Sequence, residues 1–201
     1  MLERVPDLPA VTLDREAYLK DYWAEYERIR DVFWKLERAQ TFQEIGDPSW
    51  EAFAGGDWRR ALELNEADRA TALEMAATDR RLGIRTRRIR IVESPISPYV
   101  QWEMHFFRLL AEAGQDLRVL PAEALLPWEQ HRPAPELALL GDRVLYQVLY
   151  DPSGTPSGAR RITDPEVIQA CRADLALLFT HAEPLLDFFT REIAPLPAPA
   201  V

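Results

Sequence analysis

Cysteine is nearly absent from this chain: Cys171 is the only one among 201 residues. That excludes an internal disulfide and any cluster of cysteine thiolates around a metal. Its neighbours in VIQACRADLALL are apolar, so Cys171 reads as a small core residue rather than a nucleophile. Long apolar runs are missing too. None approaches the roughly 20 residues of a membrane span, and the opening MLERVPDLPAV lacks the apolar core of a signal peptide. The expectation is a cytoplasmic protein with no membrane contact.

Lysine is almost as scarce. Apart from Lys20 and Lys35 every cationic side chain is arginine, a bias of the kind that a GC-rich coding genome leaves. Asp and Glu outnumber Lys and Arg by 33 to 24, a formal net charge of -9 at pH 7. Nucleic acid is repelled at long range by such a chain, so direct nucleic-acid binding is disfavoured. Histidine is confined to His105, His131 and His181, and no pair has the spacing of a zinc site. Glu103 and His105, two positions apart, would point about 200° apart on a helix and cannot share an ion. No P-loop or dinucleotide glycine motif and no G-x-S-x-G elbow is present; PSGTPSG at 152–158 has the look of a turn between strands. The sequence therefore nominates no catalytic residue, no metal ligand and no cofactor.

What is present is an ordinary globular composition, 47% hydrophobic and 28% charged, in a length that suits one domain. Residues 1–12 have the composition of a loose arm. Asp14 is placed to cap a helix running to about 30, with Tyr18, Tyr22 or Trp23, Tyr26 and Ile29 near one face. A strand follows at 32–38, SWEAFAGG is a short helix stopped by Gly55 and Gly56, and Asp57 caps one long helix ended by Gly83. Trp58, Leu62, Leu73, Met75 and Leu82 form its apolar side. Residues 13–83 are thus mainly helical and 84–162 rich in strands. Within the latter, Ser97 and Pro98 open a central helix that Gly114 closes, QDLRVLP is a strand, and 121–135 is a proline-rich exposed loop anchored by Trp128. Two strands then meet at Gly141-Asp142, and ARRIT adds another. Thr163 and Glu166 have capping-box spacing ahead of a last helix, 163–193, which Pro184 must break or kink; 194–201 is a frayed tail. Trp23, Trp34, Trp58 and Trp102 are assigned to packing. The fold class is α+β, or α/β, with a single mixed sheet packed by helices.

One constellation rises above this background. RTRRIR at 85–90 holds four arginines, and strand alternation sends Arg87, Ile89 and Ile91 to one side and Arg88, Arg90 and Val92 to the other. Arg88 and Arg90 lie roughly 7 Å apart on one face, a spacing that suits a carboxylate or phosphate held between two guanidinium forks. Glu37, from the preceding strand, and Glu103, from the next helix, are the side chains able to neutralise them instead. Tyr99 and Trp102 on that same helix complete the candidate set.

FWKLERAQTF, WEAFAGGDW, RTRRIRIVESPISPYVQWEMHFF, AGQDLRVLP and ITDPEVIQACRADLALLFTHAEPLLDFF together resemble an actinobacterial family labelled as a domain of unknown function, over about 30–190. The matching positions are Leu36, Glu37, Arg88, Arg90, Pro95, Tyr99, Glu103, Gly114, Leu120 and Pro121; ELALLGDR at 136–143 departs from the aromatic-rich, acidic strand usual there. The resemblance implies small cytoplasmic proteins encoded beside helix-turn-helix regulators, in regulatory and specialised-metabolite neighbourhoods. It carries no catalytic assignment. A fainter likeness, to regulator sensor domains of phospholipase D-like fold, lacks the His-Lys-Asp motif of a phosphodiesterase. The expectation is a non-enzymatic regulatory or ligand-sensing accessory protein, partnered by a helix-turn-helix regulator or another protein and by a small anionic ligand. The alternative is an enzyme of specialised metabolism whose small carboxylate- or phosphate-bearing substrate is clamped by the same arginines, with Glu103, Tyr99 or His105 as proton-transfer groups.

Overall fold

The computed structural model describes residues 1–200. Its elements run β1 (Val11–Asp14), α1 (Arg15–Tyr26), β2 (Val32–Glu37), α2 (Pro48–Ala54), α3 (Trp58–Ala67), α4 (Arg69–Leu82), β3 (Arg85–Val92), α5 (Pro98–Glu112), β4 (Asp116–Pro121), β5 (Leu137–Leu140), β6 (Val144–Tyr150), β7 (Pro156–Ile162), α6 (Pro165–His181), β8 (Glu183–Pro184) and α7 (Leu185–Phe188). The strands form one mixed sheet in the order β1-β7-β6-β5-β2-β3-β4-β8. Only β2, β3 and β4 run parallel, and helices supply both crossovers that a parallel pairing demands: α2, α3 and α4 between β2 and β3, α5 between β3 and β4. The architecture is α+β. No helix among the described residues is long and apolar enough to cross a membrane.

Side-chain caps start most helices where the sequence signals them. Asp14 accepts from the Ala17 amide, Asp57 from that of Arg60 and Ser97 from that of Val100, while Gly83 ends α4 in the left-handed conformation that glycine adopts without cost.

Alternation along the central strands divides the core. Trp34 and Leu36 of β2, Ile89 and Ile91 of β3 and the buried side of α6 pack on one face. The other face carries two separate apolar clusters, one around α5 with Phe53, Trp102 and Phe107, the other around α1 with Tyr26, Phe33 and Tyr146. Between them β2 and β3 present Lys35, Glu37, Arg88 and Arg90.

Several expectations are corrected. Residues 1–12 are not a loose arm: Leu2–Asp7 forms a 3-10 turn with Leu2 and Val5 fully buried, and β1 pairs with β7. Two buried residues and a four-residue edge strand are too short to show a period. The helix from Asp14 stops at Tyr26, and Trp23 is 57% exposed, because Tyr18, Tyr22 and Tyr26 at four-residue spacing take the inward stripe. The long helix breaks at Asp68, where α3 ends and α4 begins. Its buried side is small, Ala61, Ala72 and Ala76, whereas Leu73 stays 52% exposed. Leu125, in a 3-10 turn at Ala122–Trp128, joins Trp128 in anchoring the proline-rich loop. Asp164, rather than Thr163, caps α6 by accepting from the amides of Glu166 and Val167. Pro184 does more than kink the last helix: Glu183–Pro184 becomes β8, antiparallel to β4.

Candidate functional site

In the parallel register of β2 and β3, Lys35 lies beside Arg88 and Glu37 beside Arg90. The pleat points all four to one face. Arg88 Nη1 donates to Glu37 Oε1 at 2.5 Å, and Arg90 Nε donates to Glu103 Oε2, on α5, at 2.6 Å. The two guanidiniums therefore serve different carboxylates instead of converging on one anion. Arg90 is wholly buried, and its Nη1 also donates to the Ala39 carbonyl at 2.6 Å, which ties the chain leaving β2 to β3. Each guanidinium of the Arg88–Arg90 pair is thus engaged by a carboxylate of the protein, while Arg90 Nη2 is buried with no hydrogen-bond partner.

Electrostatics differ along this row. Burial pushes the Glu37 carboxyl up, but Arg88, Lys35 and Arg90 more than offset it and hold Glu37 below the usual carboxylate range. For Glu103 burial wins over Arg90 and the carboxyl is raised to about 7. Tyr99 bridges the acids, its hydroxyl donating to Glu44 Oε1 at 2.8 Å and to Glu103 Oε1 at 3.4 Å. Trp102 donates from Nε1 to Ser49 Oγ at 2.9 Å and stacks on Phe53, so its ring is both fixed and part of the wall.

Two chambers meet at the Arg88–Glu37 pair. The first, about 530 Å³, has Lys35, Glu37 and Arg88 as its floor, Tyr22, Tyr26 and Phe33 as its apolar wall, and Trp23 and Met75 lining it as well. Asp79 closes one side, accepting from Thr86 Oγ1 at 2.6 Å, from Gln115 Nε2 at 3.1 Å and from the Tyr26 hydroxyl. The second chamber, about 220 Å³, is lined by Glu37, Glu44, Asn65, Arg88, Tyr99, Trp102 and Glu103, with Asp47, Phe106 and Phe107. Glu37 and Arg88 line both, so their ion pair is the common wall. Lys35 belongs to no ion pair among the described residues. Glu37 Oε2, Arg88 Nε and Asn65 Nδ2 are buried without a hydrogen-bond partner.

Of the six residues nominated from sequence, Glu37, Arg88, Tyr99, Trp102 and Glu103 line the second chamber; Arg90 lies behind Glu103, outside both linings. Lys35, Tyr22, Tyr26, Asn65 and Glu44 were not nominated. A signal for Lys35 exists: it is the one lysine in a strand, VFWKLE, whose other members are buried. Arg87 lies over the Trp34 and Phe179 rings on the opposite face, and Arg85 pairs with Asp31 at the strand's start. His105 is wedged between the Trp58 and Phe189 rings, where burial lowers its pKa to about 4. Among the described residues no group of three or more His, Cys, Asp or Glu is placed to hold a metal ion.

No curated protein matches the chain. A family model, the domain of unknown function DUF6879, matches residues 20–190, a span that contains the central parallel strands, α5 and the whole lining of both chambers. The chain belongs to the DUF6879 family.

Proposed function

We propose that this protein is a non-enzymatic ligand-sensing accessory protein whose first chamber holds a small molecule with an aromatic or apolar body and an anionic group. Lys35 carries the reading. It places an ammonium that no carboxylate reaches within ion-pair distance on the floor of an aromatic-walled chamber of about 530 Å³, next to Arg88. A half-buried ammonium with no carboxylate at hydrogen-bond distance is under-stabilised, and a ligand carboxylate or phosphate offsets that cost through charge-assisted hydrogen bonds. Tyr22, Tyr26 and Phe33 supply the apolar contact that such sites use for affinity. Trp23 and Met75, 57% and 40% exposed, lose that exposure when a ligand covers them. The anion site proposed is thus Lys35 with Arg88.

Acid–base chemistry would need a group free to move a proton. Glu103 is engaged through Oε2 by Arg90 and through Oε1 by Tyr99, and burial, Glu103 and Glu44 hold the Tyr99 hydroxyl far above its ordinary pKa. Both points support the non-enzymatic reading over an enzyme acting on a carboxylate or phosphate substrate. The signal passes to a protein partner; from the family resemblance, the partner proposed is a helix-turn-helix regulator in an actinobacterial cytoplasm.

The test is calorimetric titration of the protein with a panel of aromatic carboxylates, beside Lys35→Met. Binding weakened about tenfold or more in a variant with unchanged circular dichroism is the expected result. Equal affinity in both proteins, or no binding across the panel, sinks the reading.

A further inference from the structure

The second chamber has no occupant in that reading, and its lining carries four carboxyls to one cation. The first chamber sets Lys35 and Arg88 against Glu37, Glu74 and Asp79; beside the shared Glu37–Arg88 pair the second adds only carboxyls, those of Glu44, Asp47 and Glu103. Asp47 Oδ1 accepts from the Ser49 and Trp50 amides, and Glu103 faces Arg90, but Glu44 has only the Tyr99 hydroxyl and no cation. The wall between the chambers is an ion pair in which each partner has a buried atom that makes no hydrogen bond, Arg88 Nε and Glu37 Oε2. Beside them Asn65, 4% exposed, turns an amide without a partner on its nitrogen into the second chamber. Buried donors and acceptors are satisfied in the great majority of sites, so this set calls for a molecule that both gives and takes hydrogen bonds at one point.

Charge narrows the class. A lone carboxylate at the wall would approach Lys35 and Arg88 but also Glu44 behind them; a lone ammonium would meet Lys35 and Arg88 at once. A head group carrying both charges side by side can lay its anion toward Lys35 and Arg88 and its cation toward Glu37 and Glu44, adding no net charge. The aromatic chamber adjoining the same wall then receives an apolar substituent.

Resting on the ligand-sensing reading, we infer that the ligand is a zwitterionic α-amino acid with an aromatic side chain, its ammonium held by Glu37 Oε2 and Glu44, its carboxylate by Lys35 and Arg88, its ring among Tyr22, Tyr26 and Phe33. Burial raises the Glu44 carboxyl above its ordinary value, outweighing the Tyr99 hydrogen bond and the Lys35 charge that lower it.

Three matched probes test it on the full-length protein by calorimetry: L-phenylalanine, 3-phenylpropionate, which lacks the ammonium, and 2-phenylethylammonium, which lacks the carboxylate. L-phenylalanine binds about tenfold or more tighter than either. Glu44→Gln erases its advantage over 3-phenylpropionate without weakening 3-phenylpropionate itself. If 3-phenylpropionate binds as tightly as L-phenylalanine, the ammonium site is overturned and the anion-sensing reading stands. If 2-phenylethylammonium is tightest, or none of the three binds, both fall. The probe ranking on the unaltered protein decides the matter even where Glu44→Gln does not fold.

Discussion

Arg90 and Glu103 meet at 2.6 Å with 0% and 8% of their side chains exposed, joining the middle of the sheet to the first turns of α5. Removing one partner leaves a buried charge alone. Arg90→Met is expected to cost about 3–5 kcal/mol, and the double replacement Arg90→Met with Glu103→Leu to recover part of it, because no charge is then left buried alone although the Ala39 carbonyl still loses its donor. Urea denaturation of the unaltered protein and the two variants measures this; a single variant no worse than the double contradicts it.

Asp79 receives three buried donors, from Tyr26, Thr86 and Gln115. Asp79→Ala orphans all of them, and a loss of about 3 kcal/mol is expected, against about 1 kcal/mol for Tyr26→Phe, which removes only one bond. Similar costs for the two would mean that water replaces the carboxylate.

His105 titrates near 6.5 when unfolded and about 4 when folded. The folded chain therefore binds fewer protons than the unfolded one between those values, so the contribution of a neutral His105 is complete above pH 6.5 and is lost as pH falls toward 4. Glu44 and Glu103, whose pKa values are raised, run the other way and gain stability on acidification. The difference between the stability profiles of the protein and of His105→Leu isolates the histidine. A difference that does not change across the window removes it as the cause.

Gly158 has φ +147°, and a methyl there would stand 2.2 Å from the Leu13 carbonyl oxygen. Gly158→Ala is expected to prise β1 from β7 at a cost of at least about 2 kcal/mol. Hydrogen exchange reads it directly: the amides of residues 11–14 should lose protection while those of β2 and β3 keep theirs.

Much of the fold was legible because its signals are local. Asp14, Asp57, Ser97 and Gly83 act where a cap must act, and the alternation of Arg88, Ile89, Arg90 and Ile91 reports a strand whose two faces meet different surroundings. The pairing of Arg88 with Glu37 and of Arg90 with Glu103 was readable as one of two outcomes, since the register that decides between ligand and neighbour is a tertiary fact. The break at Asp68 left no trace, as no glycine or proline marks it and the buried alanines on either side are good helix formers. Lys35 was passed over for a related reason. A single lysine looks like surface until β5 and β3 are known to flank it.

The scarcity of lysine gives the first chamber a chemical address. Lys20 is exposed on α1, and Lys35 is the only other side-chain amine in the chain. Besides the α-amine of Met1, reductive methylation followed by peptide mass spectrometry thus yields one product from open surface and one from the chamber floor. The ratio of the two, with and without a small molecule present, is an occupancy gauge that needs no engineered label.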